Sequence, residues 1–153
     1  VWMAPRLDAA RLAVYQPAKA VAIGSYTIED HPYLAKGSEM YGRGVRDLFE
    51  AFRKEVVALD PCVTEEFLKL YVAYKAETNF VDVVPQAKRL ILTLNMTFAE
   101  VNDPKGLCRD VTGMGRWGNG DVEVSLKSLD ELPYIVGLVR QSYERQMGDG
   151  GQA

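Results

Sequence analysis

Two stretches of the sequence carry residue types that could do chemistry. Gly113, Gly115 and Gly118 match G-x-G-x-x-G letter for letter, with Gly120 close behind. A dinucleotide site needs that motif between a strand and a helix, so that the helix N-terminus meets the pyrophosphate. Here a strand-like run, Asp121 to Leu126, follows instead. The nucleotide reading is rejected, and the glycines are read as residues that let a turn adopt positive φ. Arg116 and Trp117 sit on the same loop. They fit an anion-binding or base-stacking tip. The ordinary roles of a solvated arginine and a tryptophan that caps the core fit better, because a lone Arg-Trp pair is weak evidence for nucleic acid.

The second stretch is Glu29-Asp30-His31, with the single histidine of the chain. Adjacent residues seldom aim at one substrate atom, and no Ser or Cys nucleophile lies close in sequence. A structural role is expected. One histidine also excludes most His-based metal sites. Glu65, Glu66, Asp82, Asp110 and Asp121 are the acids that a Mg²⁺ site would draw on. A restriction-type nuclease needs a D…(E/D)-x-K pattern, two acids for the metal and a lysine for the attacking water or phosphate. Glu123 to Lys127 has the wrong spacing for it. These carboxylates are expected to be solvated or paired with Lys69, Lys75, Arg89 and Arg109. No catalytic residue, metal or cofactor is assigned.

The elements that must position these residues centre on Leu68 to Leu94. Leu68, Leu70, Val72 and Tyr74 alternate with polar residues, as a half-buried strand requires. Val63 to Phe67 is expected to lead into that run, making one long, bent strand. Phe80 to Val84 and Leu90 to Leu94 give two more strands, with Pro85 ending the pairing of the first. Leu107 to Thr112 and Asp121 to Leu126 add a fourth and a fifth. Asn119-Gly120 before the latter is a type I′ hairpin signal. The greasy face needs a cover. A helix from Ser38 to about Leu59 supplies one, with Val45, Leu48, Phe49, Phe52, Val56 and Leu59 on one stripe and Arg43, Arg46, Glu50, Arg53 and Lys54 opposite. Gly42 and Gly44 weaken its first turns, so a start nearer Val45 is equally compatible. Ser128 to Glu131 matches a capping box, and the helix it opens carries Leu132, Ile135, Val136, Val139 and Tyr143. The expected fold is α+β: an antiparallel sheet of four to five strands, with two main helices on one face, in the order helix, strands, helix. Residues 1–25 read as a linker or seam from a preceding domain, 26–146 as one domain, and 147–153 as a disordered tail. The other sheet face would offer Lys69, Tyr71, Asp82, Arg89 and Thr93.

At 153 residues the chain can bury one real core. A net charge of -3 argues against indiscriminate binding to a DNA backbone, though not against a local basic patch. No apolar run is long enough to span a bilayer, and no signal-peptide pattern is present. Cys62 and Cys108 are read as buried, reduced thiols of a cytoplasmic protein. Val1 in place of Met is compatible with a piece cut from a longer protein.

YTIEDHPYL (26–34), LFEAFRKEVVALDP (48–61), LKLYVAYKAETNFVDVVPQAKRLILTLNM (68–96) and DPKGLCRDVTGMGRWGNGDVEVSLKSLDELPYIVGLVRQSYE (103–144) together resemble a small bacterial and archaeal domain of unknown function. That domain ends long proteins similar to the GmrSD modification-dependent restriction endonucleases, which carry a ParB-like nucleotide-hydrolysing domain and an HNH-type nuclease domain. A related version follows a RecB-like nuclease domain in proteins loosely labelled "predicted transport proteins". The helix–sheet–helix layout is also similar to the YjbR-type fold, a fold-level analogy. The catalytic residues of such proteins lie in domains absent here, so the resemblance carries none over. It implies a non-catalytic accessory domain of a defence nuclease, one that contacts DNA or positions the nuclease. Arg116, Trp117, Lys69, Lys75 and Arg89 are the residues expected to meet the DNA. The alternative is a protein–protein module, docking on other domains of the same polypeptide or on a second copy. A small molecule held between sheet and helices is a third reading.

Overall fold

A helix whose apolar residues recur every three to four positions buries one stripe. In the computed structural model, which describes residues 26–36, 42–114 and 120–152, the first helix does so. This helix, α1, spans Gly42–Val57, and Val45, Leu48, Phe49, Phe52 and Val56 are buried along it. Within the described residues it is helical from Gly42, so the two glycines do not delay it to Val45; the expected start at Ser38 lies outside the described residues. The second helix, α2, spans Leu132–Gln152 and buries Ile135, Leu138, Val139 and Ser142. It runs through Met147 and beyond, past the point where the sequence expectation ends it.

Among the described residues six antiparallel strands form one open sheet in the order β1-β2-β3-β4-β6-β5. They are β1 (Thr64–Phe67), β2 (Val72–Lys75), β3 (Asn79–Pro85), β4 (Leu90–Leu94), β5 (Arg109–Asp110) and β6 (Val122–Leu126). The strand count exceeds the expected four to five for a definite reason. The run from Val63 to Tyr74 is two strands, not one long bent strand. The chain reverses at residues 68–71, where the Leu68 N–H donates to the Tyr71 carbonyl at 2.8 Å. Leu70 therefore sits in a turn, 44% exposed. Leu107 to Thr112 contributes only the two-residue β5 at one edge.

Paired residues of antiparallel strands share a face. The register Phe67↔Val72, Val72↔Val83, Val83↔Leu92, Leu92↔Val124 therefore makes one apolar row. Tyr74, Val81, Leu94 and Val122 make the next. Both helices contribute to the core over these rows. The register jumps from Tyr74↔Val81 to Lys75↔Asn79 and leaves Phe80 as an extra residue on β3. Such a bulge strands a backbone carbonyl. Here the Phe80 carbonyl accepts from Ser142 Oγ of α2 at 2.7 Å and from the Asn95 N–H at 3.2 Å. The Phe80 ring packs edge-on to Tyr143, with centroids 5.4 Å apart. A buried serine on the apolar stripe of α2 is explained by that carbonyl.

Two local expectations change. Ser128 makes no side-chain cap bond, and Glu131 reaches one residue further back, to the Lys127 N–H at 2.7 Å. A capping box forms instead at Thr27 and Asp30, around a 3-10 turn over Ile28–Asp30. The residues from Tyr26 to Pro32 read in sequence as an extended entry, since the residue before proline avoids the helical region, and the 3-10 turn over Ile28–Asp30 replaces the middle of it.

Gly120 has φ +112°, and a Cβ built there would lie 2.1 Å from the Leu94 carbonyl oxygen. The clash is with backbone, which cannot swing aside. Gly120→Ala is expected to cost more than about 2 kcal/mol. Gly137 on α2 has open space around it, so Gly137→Ala is expected to stabilise by about 0.5–1 kcal/mol through helix propensity. Urea unfolding of the two variants checks both signs.

Candidate functional site

The sheet face opposite the helices holds polar residues, and register explains which ones meet. Ala73↔Asp82, Asp82↔Thr93 and Thr93↔Glu123 form one row across four strands, continued by Arg109↔Glu123. Asp82 and Thr93 are both buried, and Asp82 accepts from Asn79 Nδ2 at 2.8 Å. Glu66 on β1 takes Lys75 Nζ of β2 at 2.9 Å. Arg109 lies 3.8 Å from Glu123. Burial raises the Tyr71 phenol above its ordinary range, and the charges of Asp82 and Glu66 push the same way while Lys75 opposes them. The face is thus mixed in sign, and its acids stand beside its cations.

The residues expected to meet DNA scatter. Lys75 lies on the polar face, already paired. Arg89, in the turn before β4, donates to Gln86 Oε1 at 3.0 Å and to Ser125 Oγ at 3.1 Å. Lys69 lies in the β1–β2 turn and lines a separate notch of about 470 Å³. Arg116 and Trp117, with Gly115 and Gly118, lie outside the described residues. Gly113 has φ +77°, as the turn reading requires. A strand, not a helix, comes after the glycine loop.

The notch also takes in His31. His31 is buried, its ring edge-on to Phe67 with centroids 5.9 Å apart. Its Nε2 stands 2.8 Å from the Leu68 carbonyl. A carbonyl only accepts, so Nε2 carries the proton. Burial lowers the imidazole pKa, against smaller upward pulls from that carbonyl and from Asp30.

Four further acids are engaged. Glu65 is tied to Arg53 and Tyr74. Asp110 accepts from the Thr112 hydroxyl at 2.6 Å, Asp60 from the Tyr143 hydroxyl at 2.7 Å, and Asp103 from the Tyr134 hydroxyl. Among the described residues no three of His, Cys, Asp or Glu gather as metal ligands. Both cysteines are free, and Cys62 is exposed rather than buried. Desolvation, helped by Asp60, raises its thiol to about 11; desolvation, helped by Asp103, raises that of Cys108 to about 12. Neither is a poised nucleophile. Among the described residues no helix is long and apolar enough to cross a membrane.

Sequence reasoning missed Arg53, placed on the solvent side of α1, and Ser142, placed nowhere. An acid at the second position of a short strand was the available signal for a buried partner.

Among the described residues an open antiparallel sheet of six strands with two α-helices defines an α+β domain with a polar sheet face and an end notch. The chain belongs to the family described as "Domain of unknown function (DUF5655)", whose model matches residues 32–146. It is 37% identical over 98 residues to an "Uncharacterized protein" of Haemophilus influenzae (strain ATCC 51907 / DSM 11121 / KW20 / Rd), a stretch covering 64% of this chain and 32% of that protein. The chain therefore spans about a third of the relative that it matches. No solved structure matches.

His31 yields a direct pH prediction. Its folded pKa lies below the unfolded value of 6.5, so the unfolded chain binds more protons between the two. The stability contributed by the neutral ring is whole above pH 6.5 and is lost as pH falls through the lowered pKa. The Hε1 signal of the one imidazole ring in a proton NMR titration is expected to have its midpoint below 6.5. His31→Gln should flatten the fall of Tm with pH across that window.

Proposed function

We propose that this domain is a non-catalytic accessory module of a longer polypeptide that works through protein–protein contact, docking onto or positioning neighbouring domains. The observation that carries the reading is the charge arrangement of the polar sheet face. Lys75 is held by Glu66 and Arg109 stands against Glu123, with buried Asp82 in the row between. A duplex backbone demands a surplus of cations along one track. A face whose charges answer each other suits a protein surface of mixed polarity better. The Haemophilus influenzae relative, about three times longer than the matched stretch, supports a module within a larger chain. The likeness to C-terminal domains of modification-dependent restriction proteins suggests that the larger chain is a defence nuclease.

Direct DNA contact through Lys69, Lys75, Arg89 and the Arg116–Trp117 loop is the competing outcome. The test is a salt titration of the protein against labelled duplex DNA, plain and base-modified. No saturable binding is expected at low salt for either duplex. Affinity that falls steeply with salt and differs between the duplexes would replace docking by DNA reading. Light scattering over a concentration series then reports whether one partner is a second copy.

A further inference from the structure

The turn that splits β1 from β2 leaves the sheet ragged at one end. β2 pairs with β3 no further than Val72↔Val83, while β3 continues to Pro85 and pairs on its other side with Leu90. Proline at this overhang is explained, since a donor facing the missing strand would have no acceptor. The overhang, the turn and the segment after the first 3-10 helix enclose the notch of about 470 Å³. That volume lies within the range of about 300–1,000 Å³ typical of small-molecule sites.

Its lining has a consistent chemistry. Leu70, Val84 and Pro85 make it apolar. Lys69 lines it and has no hydrogen-bond or ion-pair partner among the described residues. Gln86 also lines it. Its Oε1 is occupied by Arg89, which leaves its amide N–H groups as donors. His31 gives its Nε2–H to Leu68 and adds no full charge while neutral. No Asp or Glu is in the lining, although acids outnumber Lys and Arg 21 to 18 in the chain. A free ammonium, a free amide donor and apolar walls without an acid are complementary to one kind of ligand.

We propose that the notch binds a small carboxylate carried on an apolar body, the carboxylate meeting Lys69 and Gln86 and the body covering Leu70, Val84 and Pro85. The site is separate from the docking face proposed above and stands or falls by itself. The probe is 4-phenylbutyrate, with uncharged 4-phenylbutyramide as its control, titrated into the ¹⁵N-labelled chain. Saturable shifts of the Lys69, Leu70, Gln86 and Ala87 amide signals are expected with the acid. Binding of the amide, and of the acid to Lys69→Gln, should be weaker by about fivefold or more. Leu70→Asp, which sets an anion in the lining, should abolish binding. Lys69 and Leu70 are exposed turn residues, and dispersed spectra of both variants confirm that they fold. Equal binding of acid and amide, an unchanged affinity in Lys69→Gln, shifts centred elsewhere, or no saturation would each overturn the proposal.

Discussion

A buried acid on the apolar face of the sheet sets the terms for the rest of the molecule. Glu65 is second in β1, and its register with Tyr74 turns it toward the helices. It is 5% exposed. A carboxylate there is tolerable only if paired and fully hydrogen-bonded. Arg53 of α1 meets it with both arms, Nε to Oε2 at 2.9 Å and Nη2 to Oε1 at 2.7 Å. The Tyr74 hydroxyl donates to Oε2 at 2.7 Å. Burial alone would lower the Arg53 pKa, but the Glu65 carboxylate outweighs it and holds the guanidinium charged. Burial and the same carboxylate raise the Tyr74 phenol well above its ordinary range, so it stays a donor.

From this pair the helix–sheet arrangement follows. The Arg53 guanidinium lies over the Phe49 and Phe67 rings, 5.5 and 5.7 Å from their centroids. Arg53 Nη1 also donates to Glu50 at 3.1 Å, Glu50 takes Arg46 at 2.9 Å, and Arg46 reaches the Leu34 carbonyl at 2.6 Å. One chain of charge-assisted bonds thus runs from the lead-in segment along α1 to the edge of the sheet. Among the described residues β1 is an edge strand with β2 as its sole neighbour. The bidentate pair gives it a second attachment and fixes its register. A one-residue slip would turn Glu66 inward, where Arg53 could not reach two oxygens. The tight turn at residues 68–71, and with it the notch, depends on that register.

The sequence shows the elements more clearly than their joints. The α1 stripe, the alternation in β3, β4 and β6 and most of the α2 stripe follow from apolar periodicity, although Leu138 joins the buried side of α2 and β3 and β4 are buried on both faces. The β1–β2 reversal does not. Leu68 and Leu70 continue the alternation of Val72 and Tyr74 through a turn that lacks glycine and proline, so composition gives no sign of it. Arg53 reads as solvated because an arginine on a polar stripe usually is. Only the fold shows that its long stem crosses the rim to a buried acid. The candidate surface suffers more. Lys75 appears as a free cation until cross-strand register sets Glu66 beside it. Lys69 appears as a strand residue until the turn moves it to the notch.

The most direct test of this account is a double-mutant cycle on Arg53 and Glu65, read by urea unfolding. Arg53→Met leaves a buried carboxylate without its cation, and Glu65→Leu leaves a part-buried guanidinium without its anion. Each is predicted to cost about 2–3 kcal/mol, reduced from the cost at a fully dry pair because Arg53 keeps some water. The double variant, which removes both charges, is predicted to lose far less than the sum, with a coupling of about 2 kcal/mol. Single costs that add to within about 0.5 kcal/mol would contradict it. They would mean that α1 and the sheet edge are held by apolar packing alone.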